Sequence, residues 1–320
     1  MSQALIVGSV ALDTVETPHG KVDAALGGSC SYASVAASYF TDVSIVGVVG
    51  EDFPPEAIRH FQRRGIDLSG LETKRGGKTF HWSGYYTRDM NQAHTNTTEL
   101  NVFAEFHPKL TEAQRNVPFI FLANIHPELQ LDVLKQVRNP KLVALDTMNL
   151  WIDGHKQALT KVIERVDILL VNEQEARQYC EKVNLIECGK ELVTLGPKTV
   201  VIKKGEHGAL LFQKNGIVYL PAYPLEKLKD PTGAGDTFAG AMVGYLARLG
   251  EVNDENLVRA VNVGTCMASF VVEEFSLNRL LRIQPGELRA RCQKLQDMVR
   301  LPSLVDGTLD DVKLVAEATV

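Results

Sequence analysis

The stretch Asp230-Pro231-Thr232-Gly233-Ala234-Gly235-Asp236-Thr237-Phe238 holds the residues best suited to chemistry. Pro231 stops a regular strand, and the two glycines open backbone conformations closed to other residues. Phe238, Ala241, Met242, Tyr245, Leu246 and Leu249 then recur at helical spacing, which predicts a helix over Thr237–Leu249. A small-residue turn feeding a helix N-terminus aims several N–H groups at one spot, and the helix dipole adds partial positive charge there. Gly233, Ala234 and Gly235 thus form a candidate anion hole for phosphate oxygens. Asp236 stands at its edge, where a carboxylate can take the proton of a hydroxyl attacking phosphorus. Taken alone, the turn reads equally well as a glycine corner with Asp236 as helix N-cap.

Other segments offer weaker signals, each with a structural alternative. Asn172-x-x-Glu175 follows an apolar strand and opens a helix, the spacing of a capping box. Asp13 lies just past a strand end, where an acceptor-only carboxylate can grip two adjacent hydroxyls. Gly27 and Gly28 let backbone approach a ligand closely, although glycine pairs usually mark only a turn. Lys204, Gly205 and Gly208 follow the strand Val200–Ile202 and read as a nucleotide contact or a strand-end turn.

These residues need a frame. Apolar runs at Ala4–Val7, Val43–Val49, Phe119–Leu122, Leu142–Leu145, Ile168–Val171, Val200–Ile202 and Ala209–Phe212 read as strands covered on both faces. Helical patterns fall between them at Ser31–Tyr39, Pro54–Arg64, Glu128–Gln136, Glu173–Glu181 and Thr237–Leu249. The alternation predicts an α/β fold, a doubly wound and mostly parallel sheet flanked by helices, with ligands at the carboxyl ends of the strands. Residues 14–24 and 79–103 break the rhythm with alternating residues around polar, turn-prone centres. They are expected to pair into a small β lid over the site. The lid aromatics Phe80, Trp82, Tyr85 and Tyr86 alternate only in part, and His81, His94, Asn124 and His126 near the mouth lack metal-ligand spacing. One α/β domain over 1–300 and a weakly patterned tail over 301–320 are expected.

Composition narrows the classes. The chain has 320 residues, is 45% hydrophobic and carries 34 Lys plus Arg against 39 Asp plus Glu, a net of −5. That balance gives no support for a nucleic-acid partner. No run approaches the roughly 20 apolar residues of a membrane span, and Met1–Gly8 lacks the basic flank and cleavage site of a secretory signal. Five cysteines without a C-x-x-C pair fit a reducing cytoplasm better than a disulfide scaffold or structural zinc. No G-x-x-x-x-G-K-[ST] or G-x-G-x-x-G string occurs, which disfavours P-loop and dinucleotide-binding readings.

The string Asp230–Phe238, continued by Ala239-Gly240-Ala241, resembles the C-terminal D-[PT]-x-G-A-G-D signature of the ribokinase-like (PfkB) carbohydrate and nucleoside kinases. Further segments match that family in order: Gly8…Asp13, Gly27-Gly28, Val46–Asp52, Gly65-Ile66-Asp67, Asn172–Glu175 and Lys204–Gly208. The resemblance runs from about residue 4 to about residue 275. It implies ATP-dependent transfer of the γ-phosphoryl group to a hydroxyl, typically primary, of a small sugar or sugar derivative, with Asp236 as base. Asp13, Gly27 and Gly28 would bind the acceptor. Asn172, Lys204, Gly205, Gly208 and Asn262 would bind the nucleotide. Mg²⁺ would be organised from Glu175 through water, and a K⁺ ion would sit near Asp230 and Thr232. The family commonly has Asn four residues after the second glycine; here Tyr32 stands there, which removes the basis for transferring ribose or fructose specificity. A nucleoside acceptor stacked on Tyr32 and the lid aromatics is the alternative within the enzyme class. A non-catalytic ligand-binding member is the alternative outside it, and Asp236 argues against that. Pairing of two copies through the lid is a further expectation.

Overall fold

The computed structural model describes residues 3–301. The tail expected over 301–320 lies, from residue 302 on, outside the described residues. The chain begins β1 (Ala4–Val7), β2 (Ala11–Thr17), β3 (Gly20–Gly27), α1 (Ser29–Ala37), β4 (Val43–Gly50), α2 (Pro55–Arg63), β5 (Asp67–Lys74), β6 (Phe80–Tyr86) and β7 (Ala93–Glu99). It continues with β8 (Phe119–Leu122), α3 (Pro127–Gln136), β9 (Leu142–Asp146), α4 (Asn149–Ile163), β10 (Ile168–Asn172), α5 (Glu173–Cys180) and α6 (Leu185–Thr194). The last elements are β11 (Thr199–Lys203), β12 (Ala209–Gln213), β13 (Gly216–Leu220), α7 (Ala234–Leu249), α8 (Asp254–Val271) and α9 (Pro285–Met298).

Nine strands form one sheet in the order β13-β12-β11-β10-β9-β8-β1-β4-β5. From β5 to β11 every pairing is parallel, and β12 and β13 add an antiparallel edge. The all-apolar strands β1, β4 and β8 are buried along their whole length because helices cover both faces. Ile6, Phe121, Ala144, Leu170 and Val201 face α1, α7 and α8 on one side. Leu5, Ile120, Val143, Leu169 and Val200 face α3 to α6 on the other. From β1 the chain winds outward to β4 and β5, then returns to build β8 to β11 on the opposite flank. The crevice between β1 and β8 is therefore the topological switch point, the place where open α/β sheets bind ligands.

The two hairpin excursions pair into a second sheet, β3-β2-β6-β7. Its strands begin nearer the core than 14 and reach beyond 24, so Asp13 and Gly27 belong to the lid sheet itself. Asp52, at the end of the VGVVGED segment, holds the lid's second root: its Oδ1 accepts from Thr79 N and Thr79 Oγ1, both at 2.7 Å. Lid and core thus join at two fixed points beside the carboxyl ends of the central strands.

Candidate active site

Strand parity decides what meets at the crevice. Leu170 of β10 pairs with Asp146 of β9 and with Val201 of β11, and Asn172 pairs with Lys203. Paired residues share a face and i, i+2 residues repeat it. Asp146, Asn172 and Lys203 therefore end their strands on the α7 face, where the N-terminus of that helix arrives. Lys203 Nζ lies 2.9 and 2.8 Å from the two Asp146 oxygens, a pair with side chains only 16% and 5% exposed.

The helix carrying Asp236 begins earlier than its apolar periodicity predicts. Gly233 is the N-cap, in the left-handed region at φ 75°, and Ala234 opens α7. Asp236 accordingly sits inside the first turn and is not the N-cap. The ring of Tyr32 underlies this turn: a Cβ at position 233 would lie 2.4 Å from its ring carbons, so glycine is required by both φ and contact. Ala234 N–H donates to Pro231 O at 3.2 Å, while the N–H groups of Gly233 and Gly235 belong to the part of a helix that has no intrahelical acceptor. A side chain at position 235 would start 3.1 Å from Lys203 Nζ, so the ammonium borders the anion turn directly.

Desolvation governs the acids here. It pushes the half-buried Asp236 carboxyl up to about 7, with the Asp146 charge adding to the rise and Lys203 opposing it. Burial likewise pushes Glu175 up to about 7 against the pull of Lys203. Asp13, 6% exposed, is raised to about 7 by burial, moderated by Gly28 N–H, which donates to its Oδ2 at 3.3 Å. A Cβ at Gly27 would fall 1.9 Å from that oxygen, so only glycine lets the carboxylate stand there.

Asn172 and Glu175 form a complete capping box: Asn172 Oδ1 accepts from Glu175 N at 2.8 Å, and Glu175 Oε2 from Asn172 N at 2.7 Å. Asp230 is 1% exposed, and its two oxygens accept from Thr232 N (2.9 Å) and Ser276 N (3.1 Å). Thr232 Oγ1 donates to Tyr86 Oη at 3.2 Å, tying the lid to the loop before α7.

Other sequence-predicted residues have local partners of their own. Tyr32 is 1% exposed and buttresses the Gly233 turn, so it offers no open stacking face; burial, and after it the charges of Asp13, Asp230, Tyr86 and Asp236, push its hydroxyl well above the usual tyrosine range. Lys204 turns its ammonium over the Tyr219 ring, 5.6 Å from the centroid, and its N–H donates to Gly208 O at 2.7 Å. Gly205 and Gly208 shape that turn at φ 53° and 86°. Asn262, half-buried on α8, takes the Cys266 thiol on its Oδ1 at 3.8 Å. Of the lid aromatics, Tyr86 faces inward, Trp82 donates to Thr95 Oγ1, Tyr85 stacks on His94, and Phe80 packs against Phe103. Asp146 and Lys203 were missed. Their signal was present: each is a charged residue closing an otherwise apolar, fully buried strand (LVALD and TVVIK).

The chain is 29% identical over 254 residues to the cytidine kinase of Thermococcus kodakarensis, covering 77% of this chain and 88% of that protein. A Burkholderia thailandensis nucleoside kinase in complex with inosine superposes with a TM-score of 0.73 at 18% identity, over 91% of this chain and 96% of the other. An Escherichia coli ribokinase-type protein in complex with ATP and Mg²⁺ gives 0.76 at 16% identity, over 92% and 100%. Residues 5–283 match the family model described as pfkB family carbohydrate kinase. With the Gly233–Gly235 turn, the carboxylate in the first turn of α7 and the small sheet that carries Asp13 all within that span, the chain belongs to the pfkB family of carbohydrate kinases.

Proposed function

We propose that the protein transfers the γ-phosphoryl group of ATP to a hydroxyl of a small sugar or nucleoside. The observation that carries this reading is the convergence of Asp236, the Gly233–Gly235 turn and the Lys203–Asp146 pair at one point of the crevice. Asp236 takes the proton of the attacking hydroxyl; a carboxyl near 7 is matched to that task at neutral pH. The turn's N–H groups and the Lys203 ammonium face the charge that grows on the transferring phosphoryl, and preset donors of this kind lower the barrier without reorganisation.

Among the described residues no group of three Asp, Glu, His or Cys is arranged to hold a metal directly. The donor set fits a Mg²⁺ bound chiefly by phosphates: the capping box uses Glu175 Oε2, so Oε1 is the oxygen that can hold a water on the ion. Mg²⁺ supplies charge neutralisation between the phosphates when bound. Asp230 and Thr232, beside which the family resemblance would place K⁺, are held in their loop by hydrogen bonds to Thr232 N, Ser276 N and Tyr86 Oη.

An ATP-consumption screen over sugars, sugar acids and nucleosides tests the reading. Turnover should appear with at least one acceptor, vanish in excess chelator and return with Mg²⁺. Full turnover in chelator would remove the metal from the proposal, and no turnover with any hydroxyl acceptor would end it.

Asp13 is placed to grip the acceptor, and Gly27 tests this. In Gly27→Ala the methyl group must displace the carboxylate. Acceptor KM should rise by about tenfold or more, the loss of roughly 1.4 kcal/mol of binding, while ATP KM holds. Overpacking should also lower stability by about 1–3 kcal/mol. An unchanged acceptor KM in the folded variant takes Asp13 out of the acceptor site.

A further inference from the structure

Beside the Gly27-Gly28 turn lies an aromatic cluster that phosphoryl transfer does not use. Ser29, the next residue, donates from Oγ to the Asn124 carbonyl at 3.2 Å, just past the end of β8. Asn124 Oδ1 in turn accepts from Trp151 Nε1 at 2.8 Å. The Trp151 ring lies 5.0 Å from His126, which lies 4.3 Å from His155. A break in α4 at His155 (φ −139°, ψ 30°) accompanies this approach of its ring to His126. The cluster thus starts at the β1/β8 switch point, one side chain away from the loop that holds Asp13.

Its chemistry is specific. Trp151 and His126 are half-buried and His155 is exposed; Trp151 packs against the core on the α3–α6 side while part of its surface stays accessible. His126 Nδ1 accepts from Glu128 N at 3.2 Å, and burial and His155 hold its pKa down, which keeps the ring neutral. Among the described residues Asn124 Nδ2 donates to the thioether of Met148, at 3.1 Å, a weak acceptor that a better one can displace. A flat face plus one poorly satisfied amide donor suits a heteroaromatic ring bearing a carbonyl or ring nitrogen. A simple pentose or hexose can accept from the amide through a hydroxyl but has no aromatic face to stack.

We infer that Asn124, His126 and Trp151 form the subsite for the base of a nucleoside acceptor, with stacking on the rings and a hydrogen bond from Asn124. This rests on the kinase reading above, and it replaces Tyr32 as the stacking surface, since that ring is covered by the Gly233 turn. The sugar then lies between Asp13 and Asp236, and its base extends along the switch-point crevice.

The chain has two tryptophans, Trp82 and Trp151, so Trp82→Phe leaves Trp151 as a lone reporter. Titrating that variant with cytidine or inosine should change Trp151 fluorescence saturably, and ribose at the same concentrations should not. In the otherwise unaltered chain, Trp151→Ala should raise nucleoside KM about 10- to 100-fold, the scale of one base–aromatic stack. ATP KM should stay within about twofold, and Asn124→Ala should shift the ranking of bases. A Trp151 signal that ignores nucleosides, or answers ribose equally, overturns the inference; so does an equal KM penalty for ribose and nucleosides in Trp151→Ala. The titration measures binding without turnover, so loss of the kinase reading would show separately as ATP left unconsumed with every acceptor.

Discussion

Asp236→Asn is expected to lower turnover by about 10²- to 10⁴-fold, a barrier increase of roughly 3 to 5.5 kcal/mol, because an amide cannot take the acceptor's proton. ATP affinity should hold or rise, since a negative charge beside the phosphate site is gone. Position 236 is inside the first turn of α7 and Gly233 is the cap, so no capping bond is lost. Stability should move the other way from activity. The unfolded carboxyl titrates near 3.8 and the folded one near 7. Between those values the native state holds a proton that the unfolded state releases, so stability falls as pH rises through this window and levels off above about 7. Asp13 and Glu175, also raised to about 7, slope the same way. The variant should therefore melt at or above the parent temperature at a pH of about 8, with a shallower dependence between about 4 and 7. In the parent, kcat/KM should climb with pH to a plateau above about 7. A variant that melts normally and keeps turnover within a few-fold would reduce Asp236 to a helix residue, and the mechanism would fail.

The frame was readable because its strands are buried on both faces and so leave unbroken apolar runs. Edges and small-residue turns were not readable in the same way. The edge strand β5, DLSGLETK, is polar along its exposed side and shows no continuous apolar run, while β13, GIVYL, is apolar but short and mostly exposed. The helix α4 contains Gly154 and the break at His155, which interrupt its periodicity. The start of α7 was hidden because Ala234 and Gly235 add no apolar beat; only the left-handed Gly233 marks it. The site shows the same division. Asp236, Asp13 and the glycines could be singled out from local chemistry in one segment. Lys203 was only half legible: it closes an apolar buried strand, but its meaning depends on Asp146 two strands away, and Lys204 next to it looked equivalent. Strand parity separates them: Lys203 shares the face of Val201 and Asn172, and Lys204 begins the following turn.

Lys203→Met is the second large effect expected. It removes the cation bordering the anion turn and leaves Asp146, Glu175 and Asp236 without their shared positive neighbour. Turnover should fall by about 10²- to 10³-fold, the usual result of deleting one preset charge-stabilising donor, and ATP should bind more weakly. The same deletion strands a carboxylate that is 5% exposed, a situation that costs about 3–5 kcal/mol or is relieved by protonation. A fall in activity alone would therefore not separate chemistry from folding. The double variant Asp146→Leu/Lys203→Met does, because an apolar pair of similar volume replaces a buried ion pair at little cost or even some gain. It should recover the parent melting temperature while turnover stays at the Lys203→Met level. Lys203→Arg should recover little, since a planar fork does not reproduce a compact ammonium beside Gly235. Recovery of turnover together with stability in the double variant would make the pair a strut between β9 and β11. Stability without turnover places the ammonium on the transferring phosphoryl, with Asp146 holding it in position until nucleotide arrives.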